Sequence, residues 1–382
     1  MCRIVIASAI LIAALCTASP AASAQGCCGS FRPRSILAEL ADAEIILVGT
    51  FQNGVKPNNA MPNGQVEFKI DSVLKPHAIV MNRKVVTLPR HIESGKKYLI
   101  AATVTKGEFD AYLGRELDAN GEMERFVRGA LQLKDKSDQA RLEYCAGFLL
   151  NAHKDVITSA VLEFTTAEYE TRRKLARTLN PDDFIKPLLN PATAPEFRAA
   201  YAQIVGHAGK KEHAVFLAKL LDANDAKDMQ YWPELFVAYV QLDPEAGRKR
   251  ILQILDKLDA PFLVRYSAFD AVRRLRDTRP DLMNAKQARD AVAKLLPDGS
   301  MADFAIESLR VWKCWDACDD VLALVHSKKH QMPIVKRAIL RYAMQCPNPQ
   351  AKAHVIQMQA QDAEWVQDTR ELLEIETGPL PK

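Results

Sequence analysis

Four residues near the C-terminal end of the chain carry side chains that zinc prefers. Cys314 and Cys318 are separated by three residues, and His326 and His330 repeat that spacing after a gap of seven. Structural zinc takes four nitrogen or sulfur ligands in a tetrahedron, and zinc fingers usually leave about 12 residues between the ligand pairs. The gap here is short, and the apolar pattern of segment 321–325 predicts a packed helix. These four residues are therefore weak metal candidates, and we expect no cofactor.

The cysteines could instead form disulfide bonds. Of the eight in the chain, two lie in a predicted leader, which leaves Cys27, Cys28, Cys145, Cys314, Cys318 and Cys346. We consider Cys314–Cys318 across a helix turn, Cys314–Cys346 between neighbouring repeats, and Cys27 or Cys28 with Cys145. Free buried thiols remain an alternative, because a chain of this length builds a core without covalent links.

Local motifs of the common enzyme classes are absent from the sequence. We find no Gly-x-Ser-x-Gly, His-Glu-x-x-His, phosphate-binding loop or Gly-x-Gly-x-x-Gly. The histidines are scattered, and His213, for example, stands among charged residues. Catalytic residues need not be close in sequence, but this pattern favours a protein that is not an enzyme.

The first 24 residues predict the compartment. Arg3 is followed by an apolar run at 4–15, and the small residues at 22–24 match a signal-peptidase site, so we expect cleavage after Ala24. A lipid on Cys16 is disfavoured because Leu15 is not small. No later segment reaches the about 18 apolar residues of a membrane span. The sequence therefore predicts a periplasmic or secreted protein without a transmembrane segment.

The charge balance argues against nucleic acid as a partner. The formal net charge is +4, and it is +3 without the leader, which holds one arginine and no acid. Basic runs such as Arg172–Arg173 and Arg273–Arg274 alternate with apolar residues at helical spacing. Such runs are typical of solvated helix faces, whereas nucleic-acid binding needs a concentrated basic surface.

The sequence predicts a small β domain at residues 25–136. Apolar or alternating segments at 45–48, 66–73, 85–88 and 98–104 predict short strands, and turn-forming residues such as those at 118–121 follow or separate them. Several short strands in about 100 residues predict an antiparallel barrel or sandwich.

From about residue 137 the apolar period changes to that of helices. Predicted first helices of successive helix pairs begin near Phe197, Trp232, Val264, Met301, Ile334 and Trp365, at intervals of 35, 32, 37, 33 and 31 residues. A two-helix repeat of that length is typical of an α-solenoid. We therefore predict an α+β chain of two domains, with a solenoid at 137–377 and a tail at 378–382.

Both parts resemble known families. Segments 304–324 and 333–346 resemble HEAT-repeat proteins exported by bacteria of the planctomycete type, which implies a binding scaffold. Cys27 and segments 41–49, 68–75 and 95–100 are similar to the netrin-like, OB-type barrel of tissue inhibitors of metalloproteinases. That resemblance implies that Cys27 would chelate a protease zinc if it were the first residue, whereas the predicted cleavage leaves Gln25 first.

The function that we expect is non-catalytic binding of a protein or peptide on the helical-repeat surface. The alternatives are a netrin-like metalloprotease inhibitor acting through the β domain and an unrecognised secreted hydrolase. Trp315, in a predicted turn, and the loop at 54–64 are candidate contact points, while Trp232 fits a core stripe.

Overall fold

The computed structural model describes residues 34–93, 95–133, 135–223 and 231–377. Contacts group the chain from Ser35 onward into one compact unit. A short helix, α1 (Ile36–Leu40), precedes five strands. These are β1 (Ile45–Val55), β2 (Gln65–Lys75), β3 (Val85–Leu88), β4 (Lys97–Thr105) and β5 (Glu108–Glu116).

Helices make up most of the remaining described chain. They are α2 (Glu122–Gln132), α3 (Asp138–Ala146), α4 (Lys154–Thr166), α5 (Tyr169–Ala176), α6 (Asp182–Leu189), α7 (Pro195–Ala208), α8 (Ala214–Ala223), α9 (Trp232–Leu242), α10 (Pro244–Leu255), α11 (Phe262–Thr278), α12 (Ala285–Ala293), α13 (Ala302–Val311), α14 (Cys318–Ala323), α15 (Pro333–Gln345), α16 (Pro349–Gln361) and α17 (Ala363–Thr377). This layout confirms the α+β prediction, with strands first and helices after them.

The strands form one antiparallel sheet in the order β3-β2-β1-β4-β5. The sheet is open in the described residues, because β3 and β5 are its edges and do not pair with each other. Strand β5 was not predicted from the sequence. It follows β4 through Lys106 and Gly107, which both have positive φ (54° and 82°) as a tight hairpin turn requires, but Lys-Gly is not among the strongest turn signals.

A helix was also missed inside the predicted β domain. Asp118 lies in a segment read as a turn, and its carboxylate accepts hydrogen bonds from the backbone N–H of Glu122 (3.0 Å) and Met123 (3.2 Å). Those bonds satisfy free donors at the start of α2, as a helix cap does. Met123 and Phe126 are buried in the core that the sheet shares with the helices, so helical structure begins well before residue 137.

Strand β1 is buried on both faces, because successive side chains point to opposite sides. Ile46 and Val48 join the core that continues through the helices. Ile45, Leu47 and Phe51 join a second core that is confined to the sheet and its connections. There, Phe51 packs edge-on against the ring of its cross-strand partner Phe68, 5.0 Å away between centroids.

The later helices alternate between two packing roles. Helix α9 packs against α7 and α11, and α15 packs against α13 and α17. The helices between them bridge neighbours, since α10 contacts α9 and α11, and α16 contacts α15 and α17. Each of the six predicted starting positions lies within two residues of the first residue of an observed helix, so the apolar period located these helices correctly.

Candidate functional site

A groove of about 360 Å³ lies where α11, α13 and α15 face one another, and we call it the α13 groove. Its volume is within the range of about 300–1,000 Å³ that is usual for ligand sites. The apolar lining consists of Phe269, Phe304, Val311, Trp312, Ile334 and Ala338. The polar lining consists of Arg273, Asp303, Glu307, Ser308, Arg337 and Arg341.

Aromatic side chains bridge α11 and α13 beside the groove. The ring of Phe304 lies 5.3 Å from that of Tyr266 and 6.0 Å from that of Phe269, between centroids. Further along the groove, Val311 is 59% exposed and Ile334 is 57% exposed. Contiguous exposed apolar side chains with a polar rim are typical of a surface that another molecule covers.

An ionic network holds the α15 side of the groove. Glu307 accepts hydrogen bonds from Arg310 (2.8 Å) and forms an ion pair with Arg341 (2.9 Å). Glu376 of α17 contacts the same two arginines, at 2.6 Å in the case of Arg310. Burial raises the pKa of Glu307, and the two arginines act in the opposite direction. The guanidinium of Arg341 is therefore already engaged within the protein.

Two other arginines of the groove have no carboxylate partner among the described residues. Arg273 of α11 stacks over Phe269, with its guanidinium carbon 5.7 Å from the ring centroid. Arg337 of α15 has a buried Nε without a hydrogen-bond partner. Asp303 lies on α13, between the helices that carry these two arginines, and burial raises the pKa of its carboxyl group. The groove thus offers two free guanidinium groups beside an apolar floor, which suits a ligand with acidic and apolar groups.

The four predicted zinc candidates are not gathered into a metal site. His330 is buried, with Nδ1 2.8 Å from the hydroxyl of Ser327 and Nε2 2.8 Å from the carbonyl oxygen of Leu296. His326 ends a short 3-10 turn. Within the described ranges, no group of three or more His, Cys, Asp or Glu side chains is arranged to hold a metal ion.

The expected disulfides are also not formed among the described cysteines, which are the free thiols Cys145, Cys314, Cys318 and Cys346. Cys314 is half-buried in the turn before α14, and its sulfur approaches the carbonyl oxygen of Trp312. Cys318 begins α14 and is buried, and the cysteine that acts on its thiol is Cys346. Cys27 and Cys28 lie outside the described residues.

The tryptophans follow the expectations only in part. Trp232 is 2% exposed, as its place in a core stripe predicted. Trp315 packs edge-on against the ring of Tyr342 at 5.3 Å and is half-buried, so it does not project as an anchor. Arg273 and Arg337 were not predicted as site residues, because the identity of a basic residue does not reveal whether its charge is paired after folding.

A second cavity, of about 440 Å³, lies between α1, α2, α3 and β2. Its walls are mainly apolar, and its polar side chains already have partners within the chain. Tyr144 donates to the carbonyl oxygens of Arg125 and Phe126, both at 3.0 Å, and Glu163 accepts a hydrogen bond from Ser35. Because these polar side chains are already engaged within the protein, the α13 groove is the better candidate.

No protein-family model matches the chain, and neither the curated proteins nor the solved structures include a significant match. In the described part of the chain, no helix combines the length and the apolar content that crossing a bilayer requires. The chemistry of the α13 groove is therefore the strongest indication of function.

Proposed function

We propose that the protein is a non-catalytic scaffold that binds an acidic and apolar segment of another protein in the α13 groove. The observation that carries this proposal is the position of two arginines without a carboxylate partner in the described part of the chain. Arg273 on α11 and Arg337 on α15 lie on the helices that flank the exposed floor of α13. A binding surface of this composition resembles the hot spots of protein interfaces, which are rich in aromatic residues and arginine.

Each part of the groove would recognise a different part of the segment. A guanidinium group binds a carboxylate through two parallel hydrogen bonds, and such charge-assisted bonds are stronger than neutral ones. Apolar side chains of the segment would cover Val311 and Ile334, which solvent now reaches. The alternation of acidic and apolar residues is therefore what we expect in the partner.

The net charge of the lining agrees with an acidic partner. Three arginines and two acidic residues give the groove a charge of +1. Glu307 is neutralised by its own arginines, and the raised pKa of Asp303 makes that carboxyl easier to protonate near an incoming acid. A basic segment would instead meet the two free arginines without compensation.

We further propose that the helical part is a HEAT-type solenoid and that the protein is exported. The alternating contacts of α9 to α17 and the repeat of about 33 residues support the first proposal. The leader-like residues 1–24 support the second. The order of the sheet is also compatible with an OB-type barrel, since closure would require only that β3 and β5 pair.

Peptide binding tests the main proposal. The probe is a fluorescein-labelled decapeptide that alternates glutamate with leucine and phenylalanine, and its counterpart carries lysine in place of every glutamate. We expect the wild-type protein to raise the anisotropy of the acidic peptide only. Arg273→Gln and Arg337→Gln should each weaken binding about tenfold, the usual effect of losing one charge-assisted hydrogen-bonded pair.

Arg83→Gln is the matched control, because Arg83 is exposed like Arg273 but lies in the loop before β3, outside the groove lining. It removes the same charge and should leave the affinity unchanged. Equal binding of the two peptides, no binding of either, or equal weakening by Arg83→Gln would refute the groove as an acidic-segment site. Cleavage of the peptide, followed by mass spectrometry, would show that the protein is a hydrolase.

The inhibitor alternative depends on the mature N-terminus. Intact mass of the exported protein should correspond to a chain that begins at Gln25. A chain that begins at Cys27 would favour the inhibitor, whose free amine and cysteine could then reach a protease zinc. A lipid mass on Cys16 would contradict a freely diffusing exported protein.

A further inference from the structure

Two buried thiols lie side by side between consecutive helix pairs. Cys318 is the first residue of α14 and is 1% exposed, and Cys346 follows the last residue of α15 and is 2% exposed. Helices α14 and α15 pack against each other, and the thiol of Cys346 is near enough to that of Cys318 to raise its pKa. The backbone N–H of Ala351, in the first turn of α16, also donates to the Cys318 sulfur. The pair therefore lies where α14, α15 and α16 meet.

The other described cysteines are placed differently. Cys314 is only half-buried, and its sulfur is directed toward the carbonyl oxygen of Trp312 at 4.0 Å. Cys145 is buried in the core shared by sheet and helices, and the charged groups that act on it are Glu163 and Arg141. Of the cysteines that the structure describes, Cys318 and Cys346 are thus the buried pair whose thiols act on each other.

We propose that Cys318 and Cys346 are a dithiol site that a disulfide-bearing oxidant converts into an intramolecular disulfide, linking the start of α14 to the end of α15. This pairing differs from both pairings that the sequence suggested for Cys314. It is also independent of peptide binding, because neither thiol lines the α13 groove.

The reaction balances as two successive thiol–disulfide exchanges. One cysteine loses its proton, and the thiolate attacks the oxidant disulfide, which forms a mixed disulfide and releases the first oxidant thiol. The second cysteine then loses its proton and attacks the protein sulfur of the mixed disulfide, which releases the second oxidant thiol. Two S–H bonds of the protein are replaced by one S–S bond, and the oxidant takes up two electrons and two protons.

The surroundings of the pair determine when it can react. Burial, together with the neighbouring Cys346, raises the pKa of the Cys318 thiol to about 12. Few molecules carry the reactive thiolate at neutral pH, and an oxidant cannot reach a site that is almost fully covered. We therefore expect the disulfide to form rapidly while the chain folds, and to form slowly in reduced protein that has already folded.

Peptide mapping of refolded protein tests this proposal. The full chain is reduced, unfolded and refolded in a mixture of reduced and oxidised glutathione, then alkylated and digested with trypsin without reduction. Cleavage at the basic residues yields peptides 314–328 and 342–352. We expect these two peptides to be joined, with fragment ions placing the bond on Cys318 and an alkyl group on Cys314.

Stability provides a second measurement on the same wild-type samples. The disulfide would close a loop of 28 residues, which should raise the Tm of the oxidised protein by about 5 °C relative to the reduced protein. Cys346→Ala should abolish the joined peptides, and Cys314→Ala should retain them. A bond placed on Cys314, complete alkylation of Cys318 and Cys346 after oxidative refolding, or equal Tm values would overturn the proposal.

Discussion

Two arginines that are neighbours in the chain have opposite roles on α11. Arg274 donates to Asp270 at 2.7 Å and to Glu234 of α9 at 2.8 Å, and so connects two helices. Arg273 points into the α13 groove and stacks over Phe269 without a carboxylate partner among the described residues. Adjacent positions on a helix are separated by about 100° around its axis. One charge therefore stabilises the fold, and the other remains available to a ligand.

A half-buried histidine makes stability depend on pH. His207 packs edge-on against the ring of Tyr169 at 5.7 Å. Burial and the positive charges of four arginines together lower the pKa of His207 to about 3; the arginines are Arg279, Arg172, Arg173 and Arg177. In the unfolded chain the histidine has its ordinary pKa of about 6.5. Between these two values the unfolded chain binds a proton that the folded protein does not, so folding loses stability as the pH falls.

The corresponding variant is His207→Gln, which removes the titrating group. Between pH 6 and pH 4 the wild-type free energy of unfolding should fall by about 2 kcal/mol more than that of the variant. Urea unfolding at several pH values measures both curves. Parallel curves over this range would show that His207 does not have a depressed pKa in the folded protein.

At the scale of elements, close contact between helices depends on small residues. Gly206 of α7 faces α9, where a Cβ atom in its place would lie 2.8 Å from both the Cα and the Cβ of Ala238. It would also lie 2.4 Å from a side-chain oxygen of Gln241. The backbone contact cannot be relieved by rotating a side chain, so the distance between α7 and α9 depends on the glycine.

We therefore expect Gly206→Ala to be destabilising even though alanine favours helices. The gain in helix propensity is about 1 kcal/mol, and overpacking between two backbones outweighs it, for a net loss of about 1 kcal/mol. Gly114→Ala is the control, because nothing lies within 4 Å of a Cβ there and its φ is not positive. If both substitutions had equal effects in thermal unfolding, the close packing of α7 on α9 would be contradicted.

At the scale of the whole molecule, the sheet and the helices share one core. Ile46, Val48 and Leu99 project from the sheet into the same cluster as Phe148 and Val156 of the helical part. The predicted boundary at residue 136 therefore passes through a continuous apolar core. Burying each large side chain contributes about 1.5–3 kcal/mol, so the sheet depends on helices that lie beyond that boundary.

The fragment 25–136 should accordingly fail to fold on its own. We expect a denaturant titration without a cooperative transition and strong binding of a dye that detects exposed apolar surface. The full chain, treated identically, is the control and should unfold cooperatively. A cooperative transition in the fragment would support an independent β domain, and would also restore the possibility that such a domain inhibits a protease alone.

The sequence alone predicted the features that depend on local pattern. The change from a period of two to a period of 3.6, and the spacing of about 33 residues, located four of the five strands and the starting positions of six helices. These signals arise because each element must bury one face, which places apolar residues at regular intervals. Strand β5 and helix α2 were missed because a Lys-Gly turn and an aspartate cap resemble ordinary loop residues.

The tertiary structure decided which side chains meet. Cys318 has Cys346 rather than Cys314 as its interacting thiol, and His330 bonds to Ser327 and a backbone carbonyl rather than to a metal. Arg273 has no carboxylate partner within the described ranges, whereas its neighbour Arg274 is paired. Each of these outcomes depends on the rotation of one helix relative to another that is distant in sequence. Local periodicity does not contain that rotation, because it is determined by how complete helices pack against each other.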